Sequence, residues 1–296
     1  MTRVGIRSTD LAKVAIPIPP LDEQRDIADY LDEQTSRIDT LIAKQTQLID
    51  ILRERRTATV REVLERGLKG SVPASGSAVE WLGSTPGGWA TPRLSWVFRQ
   101  IGSGTTPANE DQLEPDEGDV AWVTTGELRE STITSTARAV SFETVAKLGA
   151  LKVYPTGSLL IAMYGATIGR LGTLGIPATV NQACCALAAC RAGDARFFEY
   201  VLLAARDHLV NLATGGGQPN ISQETVRSLR VPSPPPIEQG EIVAYLDEQT
   251  SRIDALIAKT QEHIGLAKER RAALITAAVT GQIDVRTAAP VEMVVA

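Results

Sequence analysis

Residues 30–39 read YLDEQTSRID, and residues 245–254 repeat the same ten letters without a change. The two copies begin 215 residues apart. Structural repeats that stack into solenoids or propellers recur every 20 to 50 residues or so, a far shorter period. The repeat therefore predicts one structural element that is present twice, with a different segment between its copies.

The likeness extends beyond these ten residues. The tetrapeptide LIAK follows in both copies, at residues 41–44 and 256–259, and each copy opens with a proline cluster, IPIPP at 16–20 and VPSPPP at 231–236. A Glu-Gln pair follows each cluster. Proline lacks a backbone donor and holds the preceding residue extended, so a helix can begin at such a cluster but cannot continue through it.

Both copies have the apolar spacing of a coiled coil. Alternating steps of three and four residues give Ile27, Leu31, Gln34, Ile38, Leu41, Gln45, Leu48 and Leu52 in the first copy, and Ile242, Leu246, Gln249, Ile253, Leu256 and Thr260 in the second. This heptad pattern predicts long helices with a narrow contact face. The first glycine after the first proline cluster is Gly67, which allows a helix of roughly 65 to 70 Å. We expect the two helices to pair antiparallel, and a homodimer through the same face is the alternative.

The segment between the copies has the pattern of a mixed, mostly β domain. Strand-like runs lie at residues 119–125, 158–164 and 183–190, and a helix with one apolar face covers 198–212, before three glycines at 215–217. The predicted fold class is α+β, with a central globular domain flanked by two long helices that form an antiparallel coiled coil. The predicted boundaries are 1–20 for the entrance, 21–70 and 231–285 for the helices, 71–230 for the domain and 286–296 for a flexible tail.

The charge balance argues against a strongly basic nucleic-acid-binding protein. The formal net charge is −5, and residues 81–220 carry ten basic and twelve acidic side chains. Any DNA binding must therefore depend on local placement of arginines or on a partner. We found no apolar run of the roughly 18 residues that a membrane span needs, and the three cysteines lack metal-ligand spacing. These features predict a cytoplasmic protein without metal or cofactor.

The sequence offers no reaction centre. Its two histidines, His208 and His263, lie far from any nucleophile or carboxylate pattern, and structural roles are favoured for both. The glycine runs at 102–104 and 169–175 lack the lysine of a phosphate-binding loop and the strand-to-helix context of a dinucleotide fold. The chain is therefore predicted not to be an enzyme.

The order of short motifs in the central segment resembles the DNA-specificity subunit of type I restriction-modification systems. These motifs are Trp81-Leu-Gly with Pro86 and Trp89, GTTP at 104–107, the run 119–122, YP-x-G at 154–157, MYGATIG at 163–169, Asn181-Gln182 and GQPNI at 217–221. By this resemblance the central segment is a target-recognition domain and the repeated helices are conserved spacer helices. Residues 1–20 then resemble the end of a preceding recognition domain, because a complete subunit of this family has two such domains.

The resemblance implies a subunit that reads DNA and catalyses nothing itself. It implies double-stranded DNA, methyltransferase subunits on the helices and a motor-nuclease subunit as partners, and pairing with a second specificity chain or a homodimer is possible. One recognition domain implies that the chain reads one half of a bipartite target. The alternative is a truncated scaffold that assembles with these subunits and reads no DNA.

Loops that combine glycine with polar side chains are the predicted DNA contacts, because sequence reading needs such side chains on backbone that can approach the groove closely. The residues are Thr105, Thr106, Thr124, Glu127, Arg129, Tyr164, Thr167, Arg170, Gln218 and Asn220. Arg170 and Gln218 are predicted to reach base edges, and Thr105, Thr106 and Thr167 to contact phosphates. Asn220 has the alternative role of satisfying buried backbone. The predicted partner-facing residues are Glu23, Gln24, Arg37, Glu238, Gln239 and Arg252.

Overall fold

The computed structural model describes residues 18–70, 78–107, 114–115, 119–217 and 219–287. The chain divides into two compact units, Met1–Arg53 with Arg252–Ala296, and Glu54–Ser251. Both divisions fall inside long helices, whereas the boundaries predicted above follow helix ends, so those boundaries stay a prediction. Among the described residues, no helix is both long and apolar enough to cross a membrane.

Two helices are much longer than the others. In chain order the described helices are α1 (Leu21–Arg66), α2 (Leu94–Val97), α3 (Phe142–Lys147), α4 (Ala195–Ala204), α5 (Arg206–Asn211), α6 (Gln223–Ser228) and α7 (Pro236–Val279). Helix α1 has 46 residues and α7 has 44. Helix α7 begins on the last proline of its cluster, where a missing backbone donor costs nothing. Helix α1 ends at Gly67, which has a φ of 64° and donates its N–H to the Val63 carbonyl over 2.8 Å.

The two long helices run antiparallel, as predicted. Arg271 on α7 donates from Nε to Asp39 Oδ1 on α1 over 2.9 Å, within the unit that holds both residues. Lys69 Nζ also lies 4.0 Å from a carboxylate oxygen of Glu241. Lys69 comes thirty residues after Asp39, whereas Glu241 comes thirty residues before Arg271. One residue number rises as the other falls, which only an antiparallel pair allows. The fold class predicted from the repeat is thus confirmed.

The buried face of α1 departs from the predicted heptads. Leu48 is 44% exposed and Leu256 is 53% exposed, although both were expected in the contact face, whereas Ile49 is only 5% exposed. An α-helix of 3.6 residues per turn drifts about 20° per heptad, and an eleven-residue repeat, at about 3.67 residues per turn, drifts the opposite way. Ile38, Ile49 and Val60 have this eleven-residue spacing and are all buried. The heptad assignment therefore fails at Leu48 and Leu256.

The unit Glu54–Ser251 contains two β-sheets. The strands are β1 (Phe98–Ser103), β2 (Glu114–Pro115), β3 (Val120–Val123), β4 (Thr132–Ile133), β5 (Arg138–Val140), β6 (Leu159–Ala162), β7 (Leu171–Leu174), β8 (Ala178–Val180) and β9 (Cys184–Cys190). One sheet has the order β1-β9-β6-β7-β4 and the other β2-β5-β3-β8. Strands β3, β6 and β9 lie at the three predicted runs. In the first sheet β9 is antiparallel to both of its neighbours.

The predicted helix over 198–212 is two helices. Phe197 and Phe198 on α4 are fully buried, and Phe198 packs edge-on against Phe98 with ring centroids 5.8 Å apart. Helix α5 ends at Asn211, and Leu212 is exposed rather than part of the apolar face. The chain leaves the helix before the glycines because Thr214 forms a two-way backbone bridge with Asn220, with N···O distances of 2.9 and 3.0 Å.

Candidate nucleic-acid interface

One edge of the five-stranded sheet collects loops that are far apart in the sequence. Ser103 at the end of β1 pairs with Cys185, and Ala162 at the end of β6 pairs with Cys184, so both strands end where β9 begins. Strands β3 and β8 are parallel and end at the same level, with Val123 beside Val180. We call the surface formed by the loops 102–106, 124–129, 164–170 and 214–220, with Asn181 and Gln182, the loop edge.

The first two predicted loops join through the turn that precedes β9. Gly104 donates its N–H to the Asn181 carbonyl over 3.3 Å, and Asn181 donates to the Val123 carbonyl over 3.0 Å. A Cβ on Gly104 would lie 1.7 Å from the Val180 carbonyl oxygen, so a side chain here would force backbone apart. The structure thus explains Gly104 as a close approach between two sheets.

The polar side chains beside Gly104 hydrogen-bond across this junction. Thr106 Oγ1 donates to Gln182 Oε1 over 2.6 Å, and the Thr105 carbonyl accepts from the Trp122 indole over 3.1 Å. Gln182 is exposed at the loop edge. Its position was not among the predicted site residues, although the Asn181-Gln182 motif was the signal that could have found it.

The loop that follows β3 is stiffened by its own acidic residue. Glu127 Oε2 accepts the Thr124 N–H over 2.7 Å, and Oε1 accepts the Ala137 N–H over 2.9 Å. Both carboxylate oxygens therefore support the backbone of this loop. Arg129 is exposed, and within the described residues its guanidinium uses only Nε, which donates to the Gly126 carbonyl over 3.3 Å. The guanidinium of Arg129 thus keeps donors that can reach outward.

The loops after β6 and α5 pair with each other. Gly165 donates its N–H to the Pro219 carbonyl over 2.8 Å, and Tyr164 forms a β-bridge with Asn220. Thr167 Oγ1 donates to the Tyr164 carbonyl over 2.8 Å, which closes the turn from within. Gln218 lies outside the described residues. The backbone of Asn220 is engaged with Thr214, and both roles given to the Asn220 side chain stay predictions.

Arg170 has the least committed charged side chain of the loop edge. Its backbone N–H donates to the Thr167 carbonyl and its carbonyl accepts the Ala162 N–H, both over 2.9 Å. Within the described part of the chain, its half-buried guanidinium makes no hydrogen bond or ion pair. A fixed backbone with an unused five-donor side chain is the arrangement expected of a residue that binds a ligand.

The predicted partner-facing residues differ between the two copies. Gln239 is fully buried: its Nε2 donates to the carbonyls of Ala192 and Pro234 over 2.7 and 2.9 Å, and its Oε1 accepts the Asp194 N–H over 2.9 Å. The structure gives Gln239 an internal role in place of a partner-facing one. Its counterpart Gln24 is exposed, and its side chain donates to the Pro19 carbonyl over 2.7 Å.

The other predicted partner-facing side chains have mixed environments. Glu238 Oε2 accepts the Trp89 indole N–H over 3.2 Å, whereas Glu23 in the first copy has no such aromatic partner in the described residues. Arg37 is paired with Glu33 on its own helix. Arg37 and Arg252 are both exposed. The first copy therefore keeps more of this polar surface accessible than the second.

The repeated ten residues also occupy different surroundings. In the second copy, Asp247 Oδ1 accepts from Arg196 Nη2 over 2.9 Å and from the Tyr200 hydroxyl over 2.6 Å, both on α4. The counterpart of Asp247 in the first copy is Asp32, which is exposed. The apolar neighbour Leu246 is fully buried, whereas its counterpart Leu31 is only half-buried. The same surface is covered by a helix in one copy and open in the other.

The ionisable groups beneath the loop edge are held neutral. Burial raises the pKa of Tyr154 and of the Cys185 thiol, each to about 12, so neither ionises near neutral pH. Among the described residues, no group of three or more His, Cys, Asp or Glu side chains could hold a metal ion. The loop edge has the features of a binding surface, with positioned polar groups and unused arginine donors.

Comparison with known proteins agrees with this description. A family model described as "Type I restriction modification DNA specificity domain" matches residues 1–50 and 86–265. The putative type I restriction enzyme MjaX specificity subunit of Methanocaldococcus jannaschii is 24% identical over 291 residues, which cover 96% of this chain and 62% of that protein. This chain thus spans less than two thirds of the curated relative.

Two solved structures share the fold. One, from work titled "Structural basis underlying complex assembly and conformational transition of the type I R-M system", has a TM-score of 0.65 at 20% identity and covers 94% of this chain and 64% of its own. The crystal structure of the HsdS subunit from Thermoanaerobacter tengcongensis has a TM-score of 0.53 at 20% identity, with 95% and 64% covered. At this identity the likeness concerns the fold alone.

Proposed function

Because the chain belongs to the family of type I restriction-modification DNA specificity domains, we propose that it recognises a DNA sequence for a type I restriction-modification complex. The loop edge is the proposed reading surface. The observation that carries this proposal is the convergence of four sequence-distant loops where β1, β6 and β9 of the five-stranded sheet meet the end of β3 of the other sheet. A pure scaffold would have no need for such a surface.

The chemistry of the loop edge favours direct contact with base edges. Arginine donates two hydrogen bonds to the O6 and N7 of guanine in the major groove, and glutamine donates to N7 of adenine and accepts from its N6 amino group. Arg170 and Arg129 have donors that no other described residue accepts, and Gln182 is exposed in the turn that precedes β9. We therefore assign base reading to Arg170 first, with Arg129 and Gln182 in support.

The predicted phosphate contacts are ranked by whether their hydroxyl hydrogen is already donated within the chain. A phosphate only accepts hydrogen bonds, so a threonine must donate its single hydroxyl hydrogen to bind one. Thr106 and Thr167 donate theirs to Gln182 and to the Tyr164 carbonyl. Phosphate binding by these two residues would require those bonds to open. Thr124 also donates its hydroxyl hydrogen, to Glu127 Oε2 over 3.2 Å. Thr105 remains the proposed phosphate contact, and Glu127 is proposed to fix its loop instead of touching DNA.

Arginine substitution at the loop edge tests the reading surface directly. Arg170→Ala is expected to weaken binding of the complex to its target DNA by about 1 to 3 kcal/mol, which is roughly 5- to 150-fold, and to leave binding to random DNA unchanged. Arg191→Ala is the matched control, because Arg191 is exposed and follows the opposite end of β9. Equal weakening on both DNAs would make Arg170 a phosphate contact, and no weakening would remove its loop from the DNA surface.

One recognition domain is proposed to read one half of a bipartite target. Cells that express the chain with its methyltransferase subunits should then carry methyl groups at a single defined sequence, and the whole genome can be mapped by sequencing that detects modified bases. An interrupted palindrome is expected where two copies of the chain act together. Absence of sequence-specific methylation, in a complex that assembles normally, would favour the truncated scaffold over a DNA-reading subunit.

Assembly with partners is proposed to use the long helices. The exposed first-copy residues Gln24 and Arg37 and the half-buried Glu23 are the proposed contacts with a methyltransferase subunit, together with Arg252 of the second copy. Arg37→Glu should reduce co-purification of the co-expressed methyltransferase subunit, since a salt bridge across an interface would become a repulsion. Arg191→Glu, with the same charge change on the recognition domain, should leave co-purification intact. Equal recovery with both variants would place the methyltransferase elsewhere.

The open surface of the first copy supports pairing with a second specificity chain. In the second copy the face that includes Leu246 and Asp247 is covered by α4, and the identical residues of the first copy have no such cover in the described residues. A recognition domain from another chain would fit there by the same contacts. Mass measurement of the purified complex, with and without Asp32→Arg, tests whether this face joins two specificity chains.

A further inference from the structure

The geometry points to Glu130 as a positioning residue that connects helix α1 to two loops of the loop edge. The inference rests on the proposed DNA-reading function, and it concerns how the reading loops are held. Glu130 directly follows Arg129, the last residue of the loop after β3. Its carboxylate contacts arginines that lie 74 and 76 residues away in the sequence.

The backbone of Glu130 has an unusual conformation. Its φ is 57°, and among the described residues only Ala189 shares a positive φ without being glycine. Such backbone is disfavoured for side chains larger than hydrogen and persists where surrounding contacts enforce it. The Glu130 N–H donates to the Leu171 carbonyl over 2.8 Å, at the first residue of β7. The chain therefore keeps a carboxylate at a position where a glycine would be relaxed.

The carboxylate of Glu130 joins two helices. Its Oε2 accepts from Arg56 Nη1 on α1 over 2.9 Å, and its Oε1 accepts from Arg206 Nη1 on α5 over 3.2 Å. The side chain of Arg56 is 13% exposed and that of Glu130 is 29% exposed. Ion pairs that are partly shielded from water interact more strongly than surface pairs. Each oxygen holds one helix.

Arg206 carries the connection to the neighbouring loop. A Cβ on Gly169 would lie 2.7 Å from Arg206 Cγ, so the side chain of Arg206 lies directly on the backbone of that glycine. Gly169 immediately precedes Arg170, the proposed base-reading residue. Glu130 is thus bonded to Arg129 through the chain and to the Gly169–Arg170 segment through Arg206. It places both proposed arginine contacts relative to α1.

The test uses the complete chain assembled with its methyltransferase subunits. Glu130→Gln keeps the size of the side chain and removes its charge, and it should lower the affinity for target DNA about 5- to 10-fold while binding to random DNA and co-purification of the methyltransferase stay unchanged. Glu143→Gln is the matched control, because it removes the charge from an exposed ion pair with Lys147 on α3. The control should bind both DNAs as the unmodified chain does.

The conservative variant on α1 supplies a second measurement. Arg56→Ala should reproduce the loss of target discrimination, and Arg56→Lys should keep most of that discrimination. Arg56→Ala combined with Glu130→Gln should lower the affinity for target DNA no more than either change alone. If Glu130→Gln fails to fold, the two Arg56 variants still test the positioning role. A Glu130→Gln complex that loses thermal stability but keeps full discrimination would overturn the positioning role. Absence of discrimination by the unmodified chain would instead overturn the proposed function.

Discussion

The duplicated ten-residue segment allows one substitution to be made twice in the same chain. We expect Asp247→Asn to destabilise the unit Glu54–Ser251, and we expect Asp32→Asn to have little effect. The two aspartates have the same neighbours in sequence for ten residues. Only Asp247 accepts hydrogen bonds from Arg196 and Tyr200 on α4. Any difference between the variants therefore reports tertiary contact and not local propensity.

The magnitude follows from the contacts of Asp247. Hydrogen bonds to a charged group contribute about 1.5 to 3 kcal/mol. The side chains of Arg196 and Asp247 are 41% and 46% exposed, so water screens the pair and reduces that figure. Asparagine also keeps one oxygen acceptor for the Tyr200 hydroxyl. We expect a loss of about 1 to 2 kcal/mol for Asp247→Asn and less than about 0.5 kcal/mol for the exposed Asp32→Asn.

Two optical signals separate the units in one denaturant titration. All four tryptophans lie between residues 81 and 122, inside Glu54–Ser251, so fluorescence follows that unit alone. Circular dichroism at 222 nm follows the helices of both units. Asp247→Asn should move the fluorescence midpoint to lower urea, and Asp32→Asn should move neither signal. Equal shifts for the two variants, or no shift for Asp247→Asn, would refute the role given to α4.

Three further predictions concern packing. Ile49→Ala should lower the free energy of unfolding by about 2 to 4 kcal/mol, and Leu48→Ala by less than about 1 kcal/mol, because Ile49 is buried and Leu48 is exposed. Circular dichroism in urea measures both losses, and a larger loss for Leu48→Ala would restore the heptad assignment. Gly104→Ala should destabilise the fold by about 2 to 4 kcal/mol in a fluorescence melt, because its methyl group would lie 1.7 Å from a backbone oxygen. Gly126→Ala is the control, because its methyl group would lie 3.7 Å from Thr124 Oγ1, an ordinary contact distance. Burial raises the pKa of all three thiols, so they stay protonated and react slowly as the pH rises to 8. Mass spectrometry after alkylation at that pH should find Cys190 modified first, because it is the only half-buried one of the three.

The long helices could be predicted because their information is local. Proline clusters mark where α1 and α7 begin, Gly67 marks where α1 ends, and apolar spacing marks which side is buried. The exact contact positions were less predictable. A three-four alternation is shared by heptads and eleven-residue repeats over short stretches, and the two diverge only after two or three turns. Leu48 and Leu256 were misassigned for this reason.

The convergence of the loops could not be predicted from the sequence. The motifs identified which loops carry glycine and polar side chains, but their meeting at one edge depends on the strand order β1-β9-β6. Strand order is decided by long-range pairing, which leaves no local signal in a single sequence. Glu127 and Glu130 illustrate the same limit. The Glu127 carboxylate stiffens its loop and the Glu130 carboxylate binds two helices, although the two residues are only three positions apart.

At the loop edge, some polar side chains hydrogen-bond to the loops, and others make few or no hydrogen bonds to the described residues. The side chains of Glu127 and Thr167 hydrogen-bond to neighbouring backbone, and Gly104 allows the backbones of two sheets to come into contact. Loops ordered in advance lose little conformational entropy when a ligand binds, so more of the contact energy appears as affinity. The guanidinium of Arg170 and most of that of Arg129 take no part in this internal bonding among the described residues. Substitutions at these two residues should therefore alter which DNA is bound without unfolding the loops, whereas substitutions at Glu127 should loosen the surface for every DNA sequence alike.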